Sequence, residues 1–238
     1  MFSSCTTIDA KKITKVKKVA IVGFEGRIPE QGGAVNEYIQ AISDQAFGPK
    51  LYQVAQNQLK GAMSWQFAGR EKFMNSAAYK EASSEKMNKM ATAISYKDKY
   101  IQIPGVLNHL MGSTLVSDKK RGPAVARQLG VDSLMVIKFD IAPETMTTSM
   151  SDKLMGMAKD NPVKVRILEC NLSIKLVNAQ TGDIIWDQPG IQGKSGETPS
   201  VSIYGIPFSN LKQRAVVSSF SNALTAHIRE VKGKVEKQ

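Results

Sequence analysis

Cys5 is the residue near the start of the chain whose type and position suggest a definite chemistry. It follows an apolar residue and two small residues in Met1-Phe2-Ser3-Ser4-Cys5. That pattern is typical of the end of a bacterial lipoprotein signal, in which the cysteine thiol receives lipid. A secretory signal also needs an apolar stretch of about 7–15 residues before its cleavage site. None precedes Cys5 here, so either the signal is truncated or Met1 is the true start and Cys5 is an ordinary thiol.

A phosphate-binding loop is the first catalytic pattern to be tested, because Gly193-Lys194-Ser195 contains the end of one. The motif needs a glycine five residues before its second glycine, and Gln188 occupies that position. A helix should begin at the Lys-Ser pair, whereas Gly196 and Pro199 follow it. We therefore interpret this stretch as an exposed flexible loop rather than a nucleotide site.

The remaining chemistry-bearing residues do not form a recognisable site. His109 and His227 are the two histidines, and neither has a further ligand at metal-binding spacing. Cys170 lies in an alternating apolar segment, which predicts a buried small side chain. Since no carboxylate pair and no nucleophile motif stand out either, we expect no enzyme activity, no cofactor and no metal.

Methionines are concentrated in a predicted insertion at residues 143–161. Met146, Met150 and Met157 would share one face of a helix there. Two interpretations matter: a small helix that packs on the sheet, or an adaptable surface that contacts a partner. A soft-metal site is disfavoured, because no cysteine or histidine lies nearby.

Charge limits the classes of partner. The 238 residues carry a formal net charge of +11, which favours anionic partners such as nucleic acid, lipid headgroups or envelope polymers. The basic residues cluster near both ends: Lys11, Lys12, Lys15, Lys17, Lys18, and Arg229, Lys232, Lys234, Lys237. They are not interleaved with aromatic residues, which disfavours nucleic acid. No stretch of 18 apolar residues is present, so we expect no transmembrane helix.

Periodicity predicts an α/β fold, with a mixed sheet, helices mainly on one face and a closing C-terminal helix. Val19–Phe24 and Leu134–Ile141 have the composition of buried strands. Apolar and polar residues alternate over 168–176, which predicts a strand of a sheet covered on one side; a turn and a returning strand follow. We expect residues 1–16 to be a lipobox remnant and flexible tether, 17–232 a single domain, and 233–238 a basic tail.

Two segments resemble a known family. Leu129-Gly130-Val131-Asp132-Ser133-Leu134-Met135-Val136 is similar to the Gly-Ala-Asp segment that precedes an apolar strand in bacterial envelope lipoproteins. The hairpin of residues 172–186, with Thr181-Gly182 before Trp186, is similar to another motif of that group. The group includes the lipoprotein activators of penicillin-binding proteins, the curli secretion channel lipoprotein and the amino-terminal domain of TolB.

The resemblance implies a periplasm-facing lipoprotein of the cell envelope, most simply of the outer membrane, anchored by lipid on Cys5. Such a protein acts through contacts with an envelope protein rather than by catalysis, and its oligomeric state stays open. Asp132 and Gly182 match structural positions of the family only. The alternative interpretation is a soluble basic intracellular protein that binds nucleic acid or another polyanion, and a third is an enzyme whose site the sequence does not reveal.

Overall fold

The structure, a computed structural model, describes residues 6–28, 46–83, 99–101, 103–147, 164–195, 198–199 and 208–237. Its strands are β1 (Thr7–Ile8), β2 (Lys18–Ile28), β3 (Gln66–Phe67), β4 (Lys99–Ile101), β5 (Ser133–Thr147), β6 (Lys164–Asn178), β7 (Ile184–Lys194) and β8 (Thr198–Pro199). Its helices are α1 (Ala10–Ile13), α2 (Phe47–Met63), α3 (Arg70–Met74), α4 (Ala77–Ala82), α5 (His109–Ser117), α6 (Arg121–Leu129) and α7 (Phe208–Val235). Within these ranges, no helix is both long and apolar enough to cross a bilayer.

The described strands form one mixed sheet in the order β1-β7-β6-β5-β2-β3, with β4 paired to β2 and β8 paired to β6. β2 and β5 are parallel neighbours, whereas β5, β6, β7 and β1 are successively antiparallel. The predicted fold class is confirmed: the sheet is mixed, the architecture is α/β, and a long C-terminal helix closes it.

One face of the sheet is covered by the two long helices, α2 and α7. Phe24 and Phe139 from the sheet meet Phe220 of α7, with ring centroids 4.8–6.0 Å apart, and Tyr52 of α2 lies 5.6 Å from Phe24. Edge-to-face aromatic contacts at such distances add about 0.5–1.5 kcal/mol per pair beyond area burial. This aromatic cluster joins both helices to both central strands.

The other face is covered over part of its area only. Leu134 and Val136 of β5 pack there with residues of α3, α5 and α6. α5 crosses β2 at close range, because a Cβ built on Gly112 would lie 2.8 Å from the Cα of Gly23. Along β6, alternate residues from Leu168 to Leu176 are buried beneath α7, as the predicted one-sided alternation requires.

Residues 6–16 differ from the predicted flexible tether. Thr7 pairs with Asp187 of β7, and the Asp9 carboxylate caps α1 by accepting the backbone N–H of Lys12 at 3.0 Å. Ile13 and Val16 are buried in the larger core. Burial of these apolar side chains therefore outweighs the polar, lysine-rich composition of the segment, and the tether prediction is wrong for these residues; residues 1–5 lie outside the described part.

The predicted insertion at 143–161 begins later than expected, because residues 143–147 continue β5 in register with residues 164–168 of β6. Pro143 fits in this strand because it lies opposite Leu168 of β6. The backbone N–H and C=O of Leu168 point away from β5 and both bond to Ser195. The missing N–H of proline thus costs no ladder hydrogen bond.

Asp132 joins the starting points of β2 and β5. Its carboxylate accepts the backbone N–H groups of Lys17 and Lys18 at 3.0–3.2 Å. Its own backbone N–H donates to the Lys18 carbonyl at 3.1 Å, and its carbonyl accepts from Ala179 at 2.8 Å. This one residue therefore fixes three chain segments at the start of the parallel pair, which gives the motif around Gly130 and Asp132 a structural role.

Replacing Asp132 by alanine should lower the free energy of unfolding by about 1–3 kcal/mol, because two backbone donors lose a charged acceptor. Asp132→Asn is the matched control: it keeps one oxygen acceptor and should lose less than half as much. Urea unfolding followed by circular dichroism measures both. Equal losses in the two variants, or an alanine effect below about 0.5 kcal/mol, would contradict this role.

A buried polar network lies between the sheet and α7. The Gln188 side-chain oxygen accepts from Trp186 Nε1 at 3.0 Å and faces His227 Nδ1 at 3.0 Å, while the Gln188 amide donates to Glu230. His227 Nε2 lies 2.6 Å from the Leu172 carbonyl oxygen. The two acceptors favour the protonated ring, but burial has the larger effect and lowers the pKa of His227 to about 4.

The lowered pKa values of both histidines predict a pH-dependent stability. His109, like His227, has a pKa of about 4, below the unfolded value of about 6.5. The unfolded chain therefore binds more protons between these values, so stability is complete above pH 6.5 and falls as the pH drops toward 4.

Proton NMR titration of the folded chain measures this directly, because the sequence contains two histidines and His109→Gln leaves the His227 signal alone. We expect no ring titration between pH 8 and 5.5. An inflection of the His227 signal near pH 6.5 would show that burial does not control this group.

Candidate interaction surface

The site residues predicted from the sequence fall mainly outside the described residues. Cys5, Met150 and Met157 lie there, so the anchor and two of the three methionines stay predictions. Met146 belongs to the extension of β5 and pairs with Val165 of β6. The first methionine is thus on a strand rather than on the helix that the spacing predicts.

The segment Gly193-Lys194-Ser195 is the end of β7 and the residue after it, not a flexible loop. A Cβ on Gly193 would lie 2.1 Å from the backbone N of Ala223, so glycine is needed where α7 crosses the strand. The Ser195 hydroxyl accepts the backbone N–H of Leu168 at 2.9 Å. The loop prediction is wrong because sheet pairing overrides the local glycine content, and the exclusion of a phosphate loop agrees with the observed strand.

The histidines, cysteine and carboxylates of the described part of the chain do not cluster. No group of three or more His, Cys, Asp or Glu side chains there could hold a metal. Cys170 is buried as predicted, and burial raises the pKa of its thiol, which keeps it protonated and unreactive. A cavity of about 300 Å³ lies beside Phe24. Two polar side chains that line it already form hydrogen bonds within the fold: the Tyr79 hydroxyl accepts from the backbone N–H of Gly105, and the Asn108 side chain caps α5.

The part of the sheet that the short helices leave uncovered forms a polar surface, which we call the open face. Four neighbouring strands contribute to it, each by alternate residues that are half-buried or exposed. These residues are Glu25, Arg27, Lys138, Asp140, Glu169, Asn171, Ser173, Lys175, Asp187, Gln192 and Lys194. Because four of them are acidic and four basic, the surface has mixed charge and no single-sign field.

Cross-strand register brings opposite charges together on the open face. Arg27 lies opposite Asp140, and its Nε donates to the carboxylate at 2.8 Å. Glu169 lies opposite Lys194, with 3.7 Å between the charged atoms. Half-exposed pairs of this kind contribute about 0–1 kcal/mol each to stability. Their main effect is therefore to order the surface rather than to hold the fold together.

The N-terminus of α5 borders the open face. The Asn108 side chain caps the helix by accepting from Met111 N at 2.9 Å, and the Glu25 carboxylate accepts the backbone N–H of His109 at 3.1 Å. Burial, and then the positive charge of Lys138, lowers the pKa of His109 to about 4. Leu110, next in the helix, is 50% exposed and adds an apolar element at the edge of the surface.

His109 and Ser113 make the one contact on this border that suggests nucleophilic catalysis. His109 Nε2 is 3.4 Å from Ser113 Oγ, one helical turn along α5. A working pair needs a third group that orients the imidazole through Nδ1, and in the described part no carboxylate bonds to that atom. The contact is therefore a helix-surface hydrogen bond and supports no catalytic role.

Sequence reasoning missed the open face as a site, although it predicted the alternation of β6. The charges of β2 and β5 stand at every second position, which is a visible signal for Glu25, Arg27, Lys138 and Asp140. Their alignment across strands depends on register, however, and the parallel pairing of β2 with β5 spans more than a hundred residues of sequence. Local periodicity carries no information on that pairing.

No protein-family model matches the chain, and no curated protein matches it in sequence. The fold is similar to several solved structures at low identity. The hypothetical protein CT253 of Chlamydia trachomatis is 12% identical, with a TM-score of 0.38, over 94% of this chain and 99% of that chain. Lipoprotein GNA1162 of Neisseria meningitidis is 11% identical, with a TM-score of 0.33, over 93% and 99% of the two chains.

The C-terminal domain of LpoB from Salmonella enterica is 12% identical, with a TM-score of 0.29, over 78% of this chain and 91% of that chain. Of these proteins, the one from Neisseria is described as a lipoprotein. At this level of similarity they assign no site and no activity to the chain.

Proposed function

We propose that the protein is a periplasm-facing lipoprotein, anchored through Cys5, that acts without catalysis by binding an envelope protein on the open face. The observation that carries the proposal is the open face itself. It presents ordered polar side chains from four neighbouring strands beside the N-terminus of α5. The motifs around Asp132 and Gly182, which resemble those of envelope lipoproteins, support the anchor and the compartment.

The anchor would hold the domain close to its membrane. Because β1 begins at Thr7, two residues after Cys5, the chain between lipid and sheet spans at most about 7 Å. One acyl chain gives only marginal membrane binding, so stable anchoring needs more than one. The partner must therefore approach the bilayer or extend to it.

The size of the open face favours a transient contact. Four strands about 4.8 Å apart and about 20 Å long present roughly 400 Å². A standard stable interface buries about 800 Å² per partner. The partner must also use the border formed by α5, where Leu110 is exposed, or else bind weakly.

The charge of the open face favours a protein partner over a polyanion. Its four carboxylates would repel a phosphate backbone, whereas a protein surface of mixed charge can complement both signs. Nucleic acid binding, the alternative, would have to use another part of the molecule.

Photo-crosslinking residues at Asn171 and Gln192 should give one discrete protein adduct in intact cells, because both exposed side chains lie on the open face. Matched controls are Asn57 and Gln53, exposed residues of the same types on α2. They should give no such adduct. Denaturing gels of envelopes irradiated in the native organism measure the outcome.

Adducts at all four positions would indicate non-specific proximity and contradict the proposal. Adducts that disappear on nuclease treatment would favour the polyanion alternative instead.

A further inference from the structure

Several chain segments meet at the end of the domain where the parallel strands begin. Val16, Trp65 and Val231 line one groove, so the segment after α1, the end of α2 and the C-terminal part of α7 are neighbours there. The backbone N–H of Gln66 donates to the Lys17 carbonyl at 2.8 Å, which places the start of β3 beside the start of β2. Segments far apart in sequence thus form one continuous end surface.

This surface is rich in lysine, and we call it the lysine end. Its defining side chains are all exposed: Lys11, Lys15, Lys17, Lys60, Lys232 and Lys234. The two basic clusters of the sequence, which lie near opposite ends of the chain, are therefore adjacent in space. Lys232 and Lys234 also stand in the last turn of α7, where positive charge is favoured by the helix dipole.

Acidic groups on the same segments offset little of this charge. Asp9 and Asp183 both pair with Lys12, and the Asp183 hydrogen bond raises the pKa of that lysine. The Asp132 carboxylate is occupied by backbone N–H groups. Glu230 and Glu236 are the remaining exposed carboxylates on these segments, and Glu230 accepts from the Gln188 amide. The lysine end is thus strongly positive, in contrast with the balanced open face.

We infer that the lysine end binds the surface of a bilayer that contains anionic phospholipid. The inference rests on the proposed function, which supplies the membrane. At most about 14 Å of extended chain separates Cys5 from Asp9, so lipid on Cys5 and these lysines can reach one bilayer together. Basic residues near an anionic membrane surface each strengthen binding about fivefold. Among the described residues, the lysine end has no exposed aromatic side chain. Lysines without such stacking partners suit headgroups better than the bases of nucleic acid.

The test uses the unacylated full chain, Cys5→Ser, with vesicles of phosphatidylcholine containing 30% phosphatidylglycerol. Vesicle sedimentation should show binding that falls at least tenfold in the double variant Lys15→Gln, Lys234→Gln. The matched control is Lys50→Gln, Lys80→Gln, which removes the same charge from exposed positions elsewhere. It should change binding less than twofold. Binding should also weaken steeply from 50 to 500 mM salt, because the charges are exposed.

Three outcomes would overturn the inference. These are no binding above that to pure phosphatidylcholine, equal losses in the two double variants, and binding to a DNA duplex without binding to the anionic vesicles. If vesicle binding fails but the discrete open-face crosslinks are retained, only the membrane role of the lysine end is refuted. If the crosslinks are lost but vesicle binding is retained, the proposed partner contact is refuted instead.

Discussion

Burial of one sheet face beneath α2 and α7 is the constraint on which the rest of the structure depends. The aromatic cluster of Phe24, Phe139 and Phe220 ties the central strands to α7, and the buried polar network of His227 and Gln188 continues that contact. Because the larger core lies on this face, the opposite face needs only partial cover. The short helices protect Leu134 and Val136, and the remaining strands are left to present polar side chains.

What the sequence could predict is what local periodicity determines. The alternation of β6 and the closing C-terminal helix each depend on neighbouring residues, and both predictions are confirmed. The errors have physical reasons of a different kind. Residues 6–16 are ordered because Ile13 and Val16 pack in a core formed by residues distant in sequence. The glycine-rich end of β7 is a strand because it forms hydrogen bonds with β6. For the open face, the alternating charges could be seen in the sequence, but their pairing across strands could not be predicted from it.

Under the proposed function, the two surfaces have different roles. The open face has balanced charge and fixed geometry, which suits recognition of another protein. The lysine end has charge of one sign, exposed and spread over several segments, which suits a bilayer surface. Asp132 connects the two, since it fixes the starts of β2 and β5 at the lysine end while the same strands carry Arg27 and Asp140 onto the open face. Under the proposed function, a domain held at the membrane in this way acts by contact and not by catalysis.

The lipid anchor on Cys5 is the central claim of the proposed function, because it would set the compartment in which the other contacts take place. Mass spectrometry of the N-terminal peptide, from protein purified out of the membranes of its native organism, tests this claim most directly. The account predicts a mature chain that begins at Cys5 with a diacylglycerol thioether on its sulfur. A peptide that begins at Met1 and carries an unmodified Cys5 thiol would contradict it.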